Sequence, residues 1–158
     1  ERWVRKDGWA ATANLAVRRS VLEDVGPFDA TLLSRGDQVW GRLAAAQGYE
    51  IVFSEQAYVH HPARADMREL AIKSRRGAGG YVASRLERNS RAMLALKLCL
   101  RLPLRVLPPV KYLPRILRHE KGSTGGKLGA FGVFYAMRVI RAWEETRLAL
   151  LGGEPERR

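Results

Sequence analysis

The stretch that decides the fold reads TANLAVRR at residues 12–19, VGPFD at 25–29, GD at 36–37 and HHPAR at 60–64. Small and β-favouring residues surround the first run, and turn-forming Gly and Pro stand in the second. A helical pattern follows the third run, and β-branched and aromatic residues precede the fourth. Strand and helix patterns therefore alternate through the first part of the chain, which predicts an α/β fold there.

Helix start and stop signals divide this first part into short elements. A capping box predicts a helix that begins at Ser20 and ends at the following Gly-Pro pair. Asp37 is expected at the N-cap of a second helix over residues 38–47. Residues 50–53 and 57–60 are expected to form two short strands around a turn.

Charge is distributed unevenly along the 158 residues, which carry a net charge of +12 and 46% apolar residues. Residues 1–63 hold seven Lys/Arg against eight Asp/Glu, whereas residues 64–158 hold 21 Lys/Arg against eight Asp/Glu. A neutral globular part joined to a strongly basic part indicates an anionic partner. Anionic lipid and nucleic acid are the two usual candidates.

The second part of the chain is expected to be mostly α-helical. Asp66 is expected to open one helix, and the glycines of residues 77–80 are expected to interrupt the helical pattern. A long helix is then expected over residues 81–101. A last helix is expected over residues 127–151, where a pair of glycines ends it.

Residues 93–107 are apolar except for Lys97, Arg101 and Arg105, whose regular spacing predicts one cationic stripe on a leucine-rich helix. Pro103 is expected to break or kink this helix. A spanning helix needs about 20 mostly apolar residues, which neither this segment nor the last helix supplies. We therefore expect an amphipathic segment that lies on an anionic membrane surface. The alternatives are an ordinary helix packed on the rest of the protein and a short re-entrant or spanning hairpin.

A few polar residues of the first part are candidates for chemistry. Asp37 is either only a helix cap or a carboxylate that accepts a proton from an alcohol. Asn14 either lines a pocket or ties two loops together. His60 and His61 point to opposite faces of a strand, so only one can face a site, and their spacing alone gives no metal site. Arg64 is a candidate contact for a phosphate or an acceptor.

The ordered runs of the first part resemble the family-2 glycosyltransferases with the GT-A fold. Members show an Asn in a run of small residues that ends in Arg, then Gly-Gly-Phe-Asp, then an acidic pair at a helix start. A Gly-Tyr-x-Ile/Val stretch then leads to a strand that ends in His. Gly36 stands in place of the usual Glu of the acidic pair, and Pro27 stands in place of a Gly. The corresponding segments are residues 13–19, 26–29, 36–37, 48–51 and 59–61.

This resemblance implies a role for several residues. Asp37 would be the catalytic base, which deprotonates an acceptor hydroxyl for inverting attack on the anomeric carbon of a nucleotide sugar. His61, or less favourably His60, would approach a metal and the donor diphosphate. Asn14 and Trp40 would border the acceptor site. A divalent cation, Mg or Mn, is expected in the full-length enzyme, with most of its ligands outside this chain.

The resemblance also implies an organisation. Residues 1–64 would be the acceptor-side part of a catalytic domain, residues 65–151 a basic amphipathic region at the membrane interface, and residues 152–158 a disordered tail. The chain would be a fragment that lacks the donor-binding half and is inactive alone. The full-length enzyme would move a sugar from a nucleotide-sugar donor to a lipid-linked or polysaccharide acceptor of the cell envelope. It would lie at the cytoplasmic face of the cell membrane as a peripheral or monotopic protein.

Two other functions compete with sugar transfer: a basic nucleic-acid-binding module and a non-catalytic interaction module. Against nucleic acid as a partner, the arginines are interleaved with leucines and no recognition motif is present. The sequence also contains no phosphate-binding glycine loop, zinc pattern or Ser–His–Asp arrangement.

Overall fold

The computed structural model of the protein describes residues 2–60, 62–119 and 122–156, and it divides the chain into two compact units, Glu1–Ala63 and Arg64–Arg158. The first unit contains α1 (Arg2–Asp7), a 3-10 turn (Thr12–Asn14), α2 (Arg19–Val25) and α3 (Gly36–Ala46). The second contains α4 (Met67–Leu86), α5 (Arg91–Val106), a 3-10 turn (Val110–Tyr112), α6 (Leu113–Leu117) and α7 (Thr124–Leu151).

The α/β prediction for the first part is wrong. All regular secondary structure in the described ranges is helical, and neither residues 50–53 nor residues 57–60 form a strand. β-branched and aromatic residues fit a pleated surface, but a strand exists only when a neighbouring strand shares its hydrogen bonds. No described segment supplies that neighbour, so the unit is not the partial GT-A-like half that was expected.

Helix α3 forms the packed centre of the first unit. Trp40 and Ala44 are buried on one face of this helix. Gly41, also buried, lets the helix approach the chain at Trp9, because a Cβ atom built on Gly41 would lie 2.9 Å from the Trp9 Cβ. The ring of Trp9 in turn stacks on Trp3 of α1, with 5.0 Å between ring centroids.

The ends of α2 and α3 agree only in part with the capping signals. Helix α2 begins one residue before Ser20, and no side chain caps its first turn. Gly26 ends α2 as expected, with a φ of 89° and its N–H bonded to the Leu22 carbonyl. Helix α3 begins at Gly36, and its N-cap is Arg35 in the left-handed region, so Asp37 lies inside the first turn rather than at the cap.

The second unit is built around α7, against which α4, α5 and α6 pack. The glycines of residues 77–80 do not interrupt α4. Glycine costs a helix about 1 kcal/mol relative to alanine, but small residues also allow close approach of a neighbouring helix. Ala78 and Gly79 of α4 and Ala142 of α7 are all buried. Tertiary packing thus outweighs the local propensity. The buried apolar core consists of Val82, Leu94, Ala95, Leu98, Leu148 and Ala149.

Helix α5 is a separate helix, and the expected single helix over residues 81–101 is wrong. Helix α4 ends at Leu86, and the Ser90 hydroxyl caps α5 by accepting the Met93 N–H. Pro103 lies inside α5 without ending it. Among the residues that the structure describes, no helix combines the length and the apolar character needed to cross a bilayer.

Side chains of α7 satisfy the last carbonyl groups of α5. The Tyr135 hydroxyl donates to the Val106 carbonyl at 2.6 Å. Arg138 donates through Nε to the Arg105 carbonyl at 2.8 Å and through Nη2 to the Leu104 carbonyl at 3.3 Å. Helix ends leave such carbonyls without intrahelical partners, and a cation there also meets the negative end of the helix dipole. These contacts fix the C-terminal turn of α5 on α7.

Candidate functional site

A groove of about 610 Å³ lies in the first unit. The chain around the first 3-10 turn, the buried face of α3 and the irregular segment that follows α3 form most of its walls, and residues of α1 and of the first turn of α2 complete them. Apolar side chains line most of it, among them Leu15, Val17, Ile51 and Phe53, and polar groups are few. Concave, largely apolar sites with a few placed polar groups are typical of ligand sites.

Asn14 lies at the end of the first 3-10 turn and lines the groove. Its Nδ2 donates to the Ala57 carbonyl at 2.9 Å. This bond joins two segments that are 43 residues apart in sequence. In the structure Asn14 therefore ties two loops together and also lines a pocket.

Trp40 lines the same groove but is only 3% exposed. Its Nε1 donates to the Gly26 carbonyl at 2.8 Å, and its ring stacks on Phe28 with 5.0 Å between centroids. The side chain thus holds the end of α2 and the following turn against α3. Trp40 is therefore a buried residue that forms part of the wall of the groove.

Asp37 lies in the first turn of α3 and is half-buried, but it is not among the residues that line the groove. One carboxylate oxygen, Oδ1, accepts the Gln38 N–H at 2.9 Å. The Gln38 side chain is itself held by Arg35, whose Nε donates to Oε1 at 2.7 Å. The structure therefore brings Asn14 and Trp40 together at the groove and places Asp37 at the helix start instead.

The remaining predicted site residues are dispersed. His60 is exposed and makes an edge-to-face contact with the Tyr58 ring, with centroids 5.8 Å apart. His61 lies outside the described residues. Arg64 is exposed and belongs to the second unit. Within the described ranges no group of three or more His, Cys, Asp or Glu side chains could hold a metal ion. The divalent cation of the full-length enzyme stays a prediction, with most of its ligands expected outside this chain.

Tyr49 is a polar residue of the groove that sequence reasoning did not single out. Its hydroxyl donates to Asp24 Oδ2 at 2.7 Å, and this hydrogen bond raises the pKa of the phenol. Tyr49 also lines a second hollow of about 500 Å³ together with Val4, Gly8 and Ala45. In the sequence, the Gly48-Tyr49 pair belongs only to a stretch that is expected to lead to a strand, and no signal there indicates a position between two hollows.

Asp29 is a second carboxylate that sequence reasoning left without a role. Its Oδ1 accepts both the Thr31 N–H at 2.8 Å and the Thr31 hydroxyl at 2.6 Å. These two hydrogen bonds lower the pKa of the Asp29 carboxyl. The arrangement orders the exposed turn that leads from α2 toward α3.

Comparison with known proteins relates the chain to a glycosyltransferase. The relative is glycosyltransferase AglE of Haloferax volcanii, to which the chain is 38% identical over 141 residues, or 89% of its own length. The same alignment covers 44% of AglE, so the chain spans less than half of the length of this relative. No protein-family model matches the chain, and no solved structure matches it. The assignment to family 2 stays a prediction.

Proposed function

We propose that this chain is the acceptor-side part of a glycosyltransferase that moves a sugar from a nucleotide-sugar donor to a glycan or lipid-linked acceptor. The observation that carries the proposal is the 38% identity to glycosyltransferase AglE over 141 residues. The ordered runs of residues 10–64 support the same class, because they resemble motifs of family-2 glycosyltransferases. The donor-binding part of the enzyme would lie outside these 158 residues.

Asp37 is the proposed general base. In the reaction the acceptor hydroxyl gives its proton to the Asp37 carboxylate while its oxygen forms a bond to the anomeric carbon of the donor. The bond from that carbon to the nucleotide diphosphate breaks, and the diphosphate leaves from the opposite face, so the anomeric configuration is inverted. The Gln38 N–H holds one carboxylate oxygen at 2.9 Å, and the other oxygen accepts no hydrogen bond from the described part of the chain. A positioned carboxylate with one open oxygen suits proton abstraction.

The groove of the first unit is the proposed binding place for the part of the acceptor that lies away from its reacting hydroxyl, because Asp37 does not line the groove. Asn14 and Tyr49 offer polar groups at its wall, and the apolar side chains would contact the faces of sugar rings or a lipid chain. Arg64 is proposed to contact an acceptor phosphate. No described residue is proposed as a metal ligand, and His61 stays a predicted one.

The test of this function is a transfer assay on the full-length gene product that carries this chain. Membranes containing the protein are incubated with a panel of radiolabelled UDP- and GDP-sugars and a lipid extract. Incorporation of label into lipid or polysaccharide, with inverted anomeric configuration of the product by NMR, is the expected result. Absence of transfer from every donor of the panel, or retention of configuration, would contradict the proposal.

A further inference from the structure

One face of α5 is apolar and exposed along the helix. Leu100 and Leu104 are 71% and 69% exposed, although α5 is packed in a bundle on its other side. Met93, Leu96 and the C-cap residue Leu107 are exposed as well. We call these five residues the leucine face.

The leucine face lies opposite the packed side of α5. Its members recur every three or four residues, which places them on one stripe of a helix with 3.6 residues per turn. Leu94, Ala95 and Leu98, on the other side, are buried in the core of the bundle. A surface helix of a bundle ordinarily has polar residues on its outward side. A continuous apolar stripe there marks a surface that another partner covers.

The charged residues of α5 and its neighbouring segments in sequence are all basic. Between residues 88 and 119 the sequence has eight Lys/Arg and no Asp/Glu. Lys97 and Arg101 are exposed on α5 beside the leucine face. Arg105 is directed to the core instead, with its Nη2 2.6 Å from Glu145 Oε2. The predicted stripe of three cations is therefore a stripe of two, and the third cation holds the bundle together.

We propose that the leucine face docks onto an anionic lipid bilayer, with α5 lying in the plane of the headgroups. The leucines would enter the boundary between headgroups and acyl chains, and Lys97 and Arg101 would contact lipid phosphates at its side. An apolar stripe whose charged neighbours on α5 are all cations is complementary to such a surface. This inference is independent of the proposed sugar transfer, because it rests on the second unit alone.

A second copy of the chain suits the leucine face less well. Two α5 helices packed face to face would bring Lys97 and Arg101 of one copy close to the same cations of the other. Helix α5 has no Asp or Glu to pair with them in either orientation. Like charges at the rim of an interface disfavour association. The single sign of charge thus selects anionic lipid over self-association.

The apolar part of the proposal is tested by flotation of the full chain with lipid vesicles at about 0.15 M salt. Vesicles contain either phosphatidylcholine alone or phosphatidylcholine with about one quarter phosphatidylglycerol. The double variant Leu100→Gln/Leu104→Gln should bind the anionic vesicles at least about tenfold more weakly. Its matched control is Leu150→Gln/Leu151→Gln, which removes two other exposed leucines of the same unit and should bind like the parent chain.

The electrostatic part is tested with Lys97→Gln/Arg101→Gln, which should weaken binding to anionic vesicles about thirtyfold. The control Lys6→Gln/Arg42→Gln removes the same net charge from the first unit and should leave binding unchanged. Circular dichroism of each variant verifies that the helices are intact. A dye attached at Leu100→Cys in a Cys99→Ala background should shift to shorter emission wavelengths on vesicles, as expected for entry into an apolar phase.

Three results would overturn the proposal. One is equal vesicle binding by the leucine-face variant and its leucine control, which would mean that only charge attracts the chain to lipid. Another is a parent chain that does not bind vesicles but forms a concentration-dependent dimer in sedimentation. In that case Leu100→Gln/Leu104→Gln would dissociate the dimer. The last is preferential binding of duplex DNA over anionic vesicles at the same salt concentration, since phosphate-driven DNA binding weakens steeply with salt.

Discussion

Replacement of Glu145 by Gln should destabilise the second unit by disrupting a buried ion pair. The Glu145 side chain is 1% exposed and accepts a hydrogen bond from Arg141 Nε at 2.8 Å through Oε1. Its Oε2 lies 2.6 Å from Arg105 Nη2 but is out of line for a hydrogen bond, so that contact is an ion pair alone. Glu145 thereby joins α5 to α7. Glu145→Gln keeps the shape of the side chain and removes its charge.

The expected loss follows from the burial of each partner. Breaking a buried pair costs about 3–5 kcal/mol when the remaining charge stays buried. Here the side chains of Arg105 and Arg141 are 27% and 48% exposed, so water can hydrate both guanidinium groups after the substitution. We therefore expect Glu145→Gln to lower the free energy of unfolding by about 2 kcal/mol. That corresponds to a urea midpoint about 1 M lower.

The assay is urea unfolding followed by circular dichroism, with amide exchange to locate the loss in α5 and α7. Glu23→Gln is the matched control. Arg19 and Glu23 have the same i, i+4 spacing and an Nε–Oε1 distance of 2.7 Å, but they are exposed to solvent. This control should lose less than about 0.5 kcal/mol. Equal effects of the two substitutions would refute the reasoning, because burial would then contribute nothing to the difference.

Three further perturbations have defined outcomes. Gly41→Ala should destabilise the first unit by about 1–3 kcal/mol in urea unfolding, because the new methyl group would lie 2.9 Å from the Trp9 Cβ. An unchanged urea midpoint would contradict that close contact. Arg138→Met should cost about 1–2 kcal/mol and speed amide exchange at the end of α5, and protection equal to the parent would exclude the capping role. The hydrogen bond from Arg147 lowers the pKa of Glu144 below its ordinary value of 4.5. The stabilisation of the folded chain by this ion pair is therefore complete above pH 4.5 and is lost as the pH falls through the lower pKa of Glu144 in the folded chain. Glu144→Gln should remove this pH dependence and flatten the acid limb of a profile of unfolding free energy against pH.

Helix ends were predictable from the sequence where a single capping residue determines the backbone conformation. Asp66 caps α4 by accepting the Arg68 N–H, and Gly152, with a φ of 74°, ends α7. These signals depend on side-chain hydrogen bonds within a few residues or on a positive φ that favours glycine. The same logic failed at Ser20, because α2 already begins at Arg19 with Arg18 as its N-cap, so Ser20 lies inside the first turn.

Non-local structure was not predictable from these residues. The glycines of residues 77–80 continue α4 because α7 packs against them, and no sequence pattern states which helix lies opposite. Residues 50–53 and 57–60 have strand-forming composition, yet pairing requires a partner that composition does not specify. At the candidate site, Asn14 was a candidate from its position among small apolar residues and Trp40 from the resemblance, whereas Tyr49 comes to the groove through tertiary packing.

The most direct test of the proposed chemistry is the turnover of the full-length gene product with Asp37→Asn. The side chain keeps its size and can still meet the Gln38 N–H, but it no longer accepts a proton. Transfer should fall by about 10²–10⁴-fold while binding of the nucleotide sugar, measured by calorimetry, stays unchanged. Asp7→Asn, the same change at an exposed position of α1, should transfer sugar at the parent rate. Equal turnover by the two variants would contradict the assignment of Asp37 as the base.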